Sequence, residues 1–215
     1  MLRYARLRLF YRFLGPYQER TRRRRSAWFS DLMGLRPNMN IIDLGGSPKI
    51  WKFVDTPLNI ILLNLEFEEG ARAQAGLIRQ HKFTFVNGDA CAVGMPSKSF
   101  DLTFSNSVIE HVGDGAQRAA FAHEARRLAP KYWVQTPAKY FPIEAHTGMP
   151  FWWYYPEGLR QSLKAKWKPR LPAWTEMIEG TTLLEREEIQ RIFPEATLMR
   201  ERSFGFVKSY IAYRA

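Results

Sequence analysis

The stretch Ile41-Ile42-Asp43-Leu44-Gly45-Gly46-Ser47-Pro48 holds the residue types and spacing most suited to chemistry in this chain. An apolar run leads into an acid, two glycines and residues that can open a helix. Such a strand-to-helix turn lets backbone pass close to a nucleotide-like ligand, because glycine lacks the Cβ that would collide. Asp43 can accept hydrogen bonds from the turn or from a ligand's cationic end, and Ser47 is small enough for a close approach. About twenty residues further on, the apolar run Ile60-Ile61-Leu62-Leu63-Asn64-Leu65 ends in Glu66. An acid at the tip of the second strand of a doubly wound sheet binds ribose hydroxyls.

The elements that must position these residues follow from apolar runs and their breakers. Phe83 to Asn87 reads as a third strand ending in Gly88-Asp89-Ala90, and Phe100 to Phe104 as a fourth ending in Ser105-Asn106-Ser107. Tyr132 to Gln135 reads as a fifth, ending in Thr136-Pro137. Polar or small residues after every run place a ligand crevice at the strand C-termini. Helices are expected over Tyr17 to Met33, Lys49 to about Val54, Phe67 to Gln80, and Gln117 to Leu128 before Pro130.

Together DLGGSPKIW, Glu66, GDACAVGMPSKSFDLTFSNSVIEHV and AFAHEARRLAP resemble a class I S-adenosylmethionine-dependent methyltransferase of the type-11, small-molecule kind. The tail LLEREEIQRIFPEATLMRERSFGFVKSYIAYRA completes the likeness, as a helix and two strands, over roughly residues 26–215. The resemblance implies an α/β Rossmann-like fold: a mostly parallel seven-stranded sheet with an antiparallel final strand and helices on both faces. It implies S-adenosyl-L-methionine as cofactor. Gly45, Gly46 and Ser47 would stand at its methionine end with Asp43 bracing the turn, and Glu66 would hold the ribose diol. Asp89, with Ala90 beside it, would meet the adenine, and Ser105 and Asn106 would line the floor. The family spaces three glycines alternately after the acid; here Ser47 and Lys49 follow Gly45-Gly46, so this helix must start differently.

Methyl transfer asks the protein to hold an acceptor in line with an already electrophilic carbon. A hydroxyl acceptor gains from a base, for which histidine is suited. His111, in Glu110-His111, and His146 are the candidates, with Glu144 orienting His146 or binding an acceptor hydroxyl. In an extended segment, side chains two apart point the same way. The plainer alternative for Glu110-His111 is pocket closure or helix capping without proton transfer. Residues 137–180 form too long a connection to be idle and are rich in aromatics, among them Tyr140, Trp152, Trp153, Trp167 and Trp174. They read as a substrate lid, its rings either stacking on an acceptor or packing the insertion itself.

The net charge of +11 is uneven: residues 1–25 hold nine arginines against Glu19, leaving +3 for residues 26–215. Leucines and phenylalanines interleave with the arginines of this arm. That suits packing on the domain, an anionic membrane surface, or phosphate contacts to nucleic acid. The chain is accordingly read as an arm (1–25) and a methyltransferase domain (26–215) acting on a small or lipid-linked acceptor. Its expected location is cytoplasmic, peripheral at the inner membrane face. A single cysteine, Cys91, excludes an internal disulfide. The four histidines lack the short-range pairing of a zinc site, so no metal is expected. No run of about 18 apolar residues is present. Alternatives are an RNA or other nucleic-acid methyltransferase and a fold that binds the cofactor without catalysis. Against the first, Ser105-Asn106-Ser107-Val108 lacks the Asn/Asp-Pro-Pro-aromatic motif of amino-methylating enzymes. Against a dehydrogenase, no Gly-x-Gly-x-x-Gly begins at residue 45.

Overall fold

Seven strands form one sheet in the computed structural model, which describes residues 2–144 and 146–215, with side chains from residue 15 onward. They are β1 (Asn40–Leu44), β2 (Asn59–Asn64), β3 (Lys82–Asn87), β4 (Leu102–Asn106), β5 (Lys131–Pro137), β6 (Thr197–Ser203) and β7 (Phe206–Arg214). Their order is β3-β2-β1-β4-β5-β7-β6. The first five run parallel, and β7 is antiparallel to both β5 and β6. The order reverses direction between β1 and β4, which puts the ligand crevice at the carboxyl ends of these two strands.

β1 shows how the sequence builds this centre. Its side chains alternate between the two faces of the sheet. Ile41 joins a core with Phe29, Met33 and Trp51, while Ile42 and Leu44 join another with Phe121, Leu128 and Phe193. Asp43 therefore shares the face of Ile41, and its carboxylate meets the Trp51 indole. Helices α1 (Leu2–Met33) and α2 (Pro48–Trp51) cover the first face; α4 (Gly115–Leu128) and α7 (Arg186–Ile192) cover the second. α3 (Ala71–Gly76) follows β2, and α5 (Glu157–Trp167) and α6 (Pro172–Glu179) fill the long connection after β5.

Local chemistry accounts for the boundaries. α4 begins at Gly115, ahead of the expected Gln117, because Asp114 accepts the Gln117 backbone N–H while the Gln117 side chain accepts that of Asp114. It stops where Ala129 turns extended before Pro130. The helix expected over Phe67 to Gln80 shrinks to α3, bounded by Gly70 and Gly76. The one expected from Lys49 is the short α2, capped by Ser47.

α1 runs unbroken through Pro16 and through the expected boundary at residues 25 and 26. Thr21, Arg25, Phe29 and Met33, four residues apart, form one buried stripe. The Tyr17 hydroxyl donates to Ser203 at 2.6 Å, and Lys208 Nζ donates to Thr21 at 2.8 Å. Tyr17 to Arg25 thus pack on the domain; the interleaved arginine and apolar surface expected over Leu2 to Leu14 concerns side chains outside the described residues. Among the described residues no helix is long and apolar enough to cross a membrane.

Arg25 is the most demanding residue of that stripe. Its Nε and Nη2 donate to Glu201 Oε2 at 3.2 and 2.8 Å, and its Nη1 donates to Asn106 at 2.6 Å and Gln135 at 2.9 Å. Burial alone would raise the Glu201 carboxyl, but Arg25, Lys208 and the Ser209 hydroxyl hold it below its ordinary value. A carboxylate with a depressed folded pKa stabilises the fold above its unfolded pKa, and that stability is lost as pH falls through the folded value. Removing one partner of a buried pair costs about 3–5 kcal/mol, because the other charge is left uncompensated. Glu201→Gln is therefore expected to lower unfolding free energy by about 3–5 kcal/mol in urea titrations at pH 7. The gap between wild type and variant should narrow as the titrations are moved to acid pH.

Candidate active site

Two cavities open at the carboxyl ends of the central strands. The first, about 130 Å³, is lined by Gly45, Gly46, Ser47, Asn64 and Glu66, with Glu68 at its edge. Its shape comes from the turn after β1. Gly45 has φ +73°, and a Cβ there would stand 2.5 Å from the Val108 side chain. A Cβ on Gly46 would fall 2.3 Å from the Asp43 carboxylate. Asp43 itself is buried beneath the turn, accepting from Trp51 Nε1 at 2.8 Å; burial holds its carboxyl well above the usual range, the indole bond offsetting part of this. Asn64 Nδ2 donates to the Gly46 carbonyl at 2.7 Å. Ser47 caps α2, and Lys49 reaches sideways to Glu68 at 2.9 Å.

The second cavity, about 290 Å³, lies between α1, the ends of β4 and β5, and the insertion. Asn106, Ser107, Gln135, Glu144 and His146 line it, together with Arg22, Arg25 and Lys208. A third, about 340 Å³, shares Glu144 and His146 with it and extends under Trp152, Trp153 and Thr181. Val108, whose side chain leaves no room for a Cβ on Gly45 of the first cavity, directly follows Ser107 of the second in the chain.

A chain of polar contacts crosses this region. Glu144 Oε1 meets His146 Nδ1 at 2.8 Å, while its Oε2 accepts the backbone N–H groups of His146 and Thr147. His146 Nε2 faces His111 Nε2 at 3.2 Å, and His111 Nδ1 meets the Thr181 hydroxyl at 3.2 Å. The single Thr181 proton goes to the Met177 carbonyl at 2.7 Å, so the hydroxyl accepts from His111 Nδ1–H. His111 thereby turns a bare Nε2 lone pair toward His146. Burial and the neighbouring His146 push His111 down to about 4. Burial works the same way on His146, but the Glu144 carboxylate holds it above its ordinary value. Beneath them Glu110 is fully buried and pushed up to about 7 by burial, with the Thr136 hydroxyl donating to its Oε2 at 2.9 Å as a partial counterweight.

Of the residues singled out from sequence, the fold gathers Gly45, Gly46, Ser47 and Glu66 at one cavity and Asn106, Glu144 and His146 at the next. His111 joins through His146. Ser105 is buried, its hydroxyl donating to the Leu44 carbonyl at 2.9 Å, where it ties β4 to β1. Asp89 is exposed and turns back to accept the Cys91 N–H at 2.8 Å; neither it nor Ala90 lines either strand-end cavity. Burial raises the Cys91 thiol to about 11, which leaves it protonated and inert. Within the insertion Trp152 stacks on Trp167 at 5.5 Å, and Trp167 packs on Trp174 at 5.1 Å, so these rings form a local core. Arg25, Gln135 and Thr181 went unseen in the sequence; for Arg25 the signal was its four-residue spacing from Thr21, Phe29 and Met33. A methyl at residue 46 must displace the Asp43 carboxylate, so Gly46→Ala should lower unfolding free energy by about 1–3 kcal/mol. Calorimetric melting beside the wild type checks this.

Comparison with known proteins agrees with this architecture. Residues 46–131 match the model of the family described as a methyltransferase domain. No curated protein matches the sequence. Magnesium protoporphyrin IX methyltransferase from Synechocystis PCC 6803, solved with bound S-adenosylhomocysteine, superposes with TM-score 0.53 at 13% identity, over 99% of this chain and 94% of that one. The PH0226 protein of Pyrococcus horikoshii gives 0.54 at 13% identity, over 92% and 90%. A Rhodobacter sphaeroides protein described provisionally as a zinc-dependent alcohol dehydrogenase gives 0.59 at 10%, over 86% and 87%. At such identities these likenesses establish the fold alone, and the domain match speaks for residues 46–131. The chain has the Rossmann-like methyltransferase fold, and residues 46–131 of it match a methyltransferase domain.

Proposed function

We propose that this domain binds S-adenosylmethionine at the glycine turn and passes its methyl group to a hydroxyl of a small or lipid-linked acceptor, such as a glycan or related metabolite. The observation that carries this reading is the pair of cavities on either side of the switch point between β1 and β4. One is lined by Gly45, Gly46 and Glu66, the other by Asn106, Glu144 and His146. Glu66 is exposed at the first, where a carboxylate can accept from both ribose hydroxyls. The acceptor would lie in the second, its oxygen in line with the sulfonium methyl near Ser107 and Val108.

In the reaction the acceptor oxygen forms a bond to the methyl carbon while the carbon–sulfur bond breaks. The electron pair stays on sulfur, giving the thioether, and the acceptor proton leaves. Binding in line at near-attack distance would supply most of the acceleration, and the Glu144–His146–His111 array beside the second cavity would take that proton. Arg22 and Lys208 on the wall favour an acceptor bearing phosphate or carboxylate, which a lipid-linked sugar offers. The basic segment 1–25 supports delivery from an anionic membrane surface.

Calorimetric titration with S-adenosylmethionine and S-adenosylhomocysteine tests the first half of this reading. One saturable site is expected, and heat-silent titrations with both would refute it. Glu66→Ala removes the acceptor of hydrogen bonds to the ribose, each worth about 1.5–3 kcal/mol when charge-assisted. Affinity for S-adenosylmethionine should fall at least about tenfold; an unchanged affinity would remove Glu66 from the site.

A further inference from the structure

We infer that Glu110, His111 and His146 form a binding site for a divalent transition-metal ion, beside the acceptor cavity. Donor atoms of these three residues lie within 4.8 Å of one another, and they are the one such group among the described residues. The two Nε2 atoms are 3.2 Å apart. Two imidazole nitrogens on a tetrahedral zinc ion stand about 3.3 Å apart, given Zn–N bonds of about 2.0–2.1 Å. The 3.2 Å spacing thus matches that of two ligands of one ion.

The surroundings point the same way. Each imidazole is fixed from behind through Nδ1, His146 by the Glu144 carboxylate at 2.8 Å and His111 by the Thr181 hydroxyl at 3.2 Å. A ligating histidine characteristically has its second nitrogen bound to a carboxylate or oxygen, which sets the tautomer and aims the other lone pair at the metal. With both Nδ1 atoms acting as donors, two Nε2 lone pairs confront each other and require something positive between them. Glu110 adds a carboxyl that is 0% exposed, whose Oε1 has no hydrogen-bond partner. A buried carboxylate oxygen without a partner is costly. One proton can relieve the imidazoles or the carboxyl; a divalent cation relieves all three donors.

Two imidazoles and one carboxylate leave coordination positions open, the arrangement of metals that work on substrates rather than of closed structural sites. His146 lines both larger cavities, so an open position can face an acceptor. This deepens the proposal of hydroxyl methylation and rests on it for the ion's role: coordination lowers the pKa of a bound hydroxyl, and the imidazoles then serve as ligands. His111 and His146 lie 35 residues apart, on the turn after β4 and in the insertion after β5, so no short-range motif announces the site.

Untagged protein, stripped with a chelator and dialysed, is to be titrated with Zn²⁺ by calorimetry and with Co²⁺ by visible absorption. Wild type should bind one equivalent of each, and Co²⁺ should show the intense d–d bands of low-coordinate nitrogen and oxygen ligation. His111→Ala and His146→Ala should each weaken Zn²⁺ binding at least about 100-fold, and Glu144→Gln about 10–100-fold through orientation. His123→Ala, at an exposed site, should change nothing. Absence of Co²⁺ bands in wild type, or Zn²⁺ binding equal in wild type and both alanine variants, would overturn the assignment. The wild-type spectrum needs no variant, so a misfolded mutant cannot obscure the result, and circular dichroism identifies one. S-adenosylmethionine titration of the same stripped sample separates the two ideas: cofactor binding without metal binding sinks only the metal site, and metal binding without cofactor binding sinks only the methyltransfer reading.

Discussion

One guanidinium, that of Arg25, ties together the parts of this protein that sequence order keeps furthest apart. It reaches from α1 to Asn106 at the end of β4, Gln135 on β5 and Glu201 on β6. Four of its five donors are spent, Nε and Nη2 on Glu201 and Nη1 on Asn106 and Gln135, so the charge is paired and satisfied although nearly enclosed. Burying that charge is tolerable only with this set of acceptors. The same set fixes where α1 lies, and α1 forms a wall of the acceptor cavity. The position of the site's lining therefore depends on an ion pair that does no chemistry itself.

The site lies where strand alternation forces unlike groups together. Asp43 is committed to the face it shares with Ile41, because Ile42 and Leu44 fill the core on the opposite one. Its carboxyl meets Trp51, and the space it takes leaves room at residue 46 for glycine alone. At the end of β5, Thr136 donates to Glu110 while Thr182, arriving from the insertion, donates its backbone N–H to the Glu110 carbonyl at 2.8 Å. Glu110 is thereby locked from two sides, and His111 next to it is locked by Thr181. Glu110 and His111 are thus placed by elements other than their own, while Glu144 and His146 fix each other within one segment.

The strands were legible because buried parallel strands read as apolar runs bounded by breakers. Their ends were less so. The fourth strand, expected over Phe100 to Phe104, forms over Leu102–Asn106, since the Phe100 N–H goes to the Leu128 carbonyl and the Asp101 N–H to Asn40 instead of a ladder. The glycine turn, Glu66 and the Glu144–His146 pair were readable from residue type and position. What composition hid was reach: the run Arg22 to Arg25 reads as an electrostatic contact of the arm, yet its last member is buried on helical spacing with Phe29. Likewise the His111–His146 contact spans an insertion whose path no local pattern specifies.

The insertion shows why such a path matters. Its tryptophans pack chiefly on one another: Trp152 on Trp167, Trp167 on Trp174, and Trp174 Nε1 donates to the His146 carbonyl at 3.2 Å. An insertion with its own aromatic core can hold a side chain to the tolerance that an oriented array needs, which a bare loop cannot. His146 is held at three points: its carbonyl by Trp174, its N–H and its Nδ1 by Glu144. With those contacts set, its Nε2 faces His111 Nε2 at 3.2 Å. The three packed tryptophans of residues 137–180 are thus accounted for by the support they give this histidine, whereas Tyr140, Phe151 and Tyr154 remain exposed.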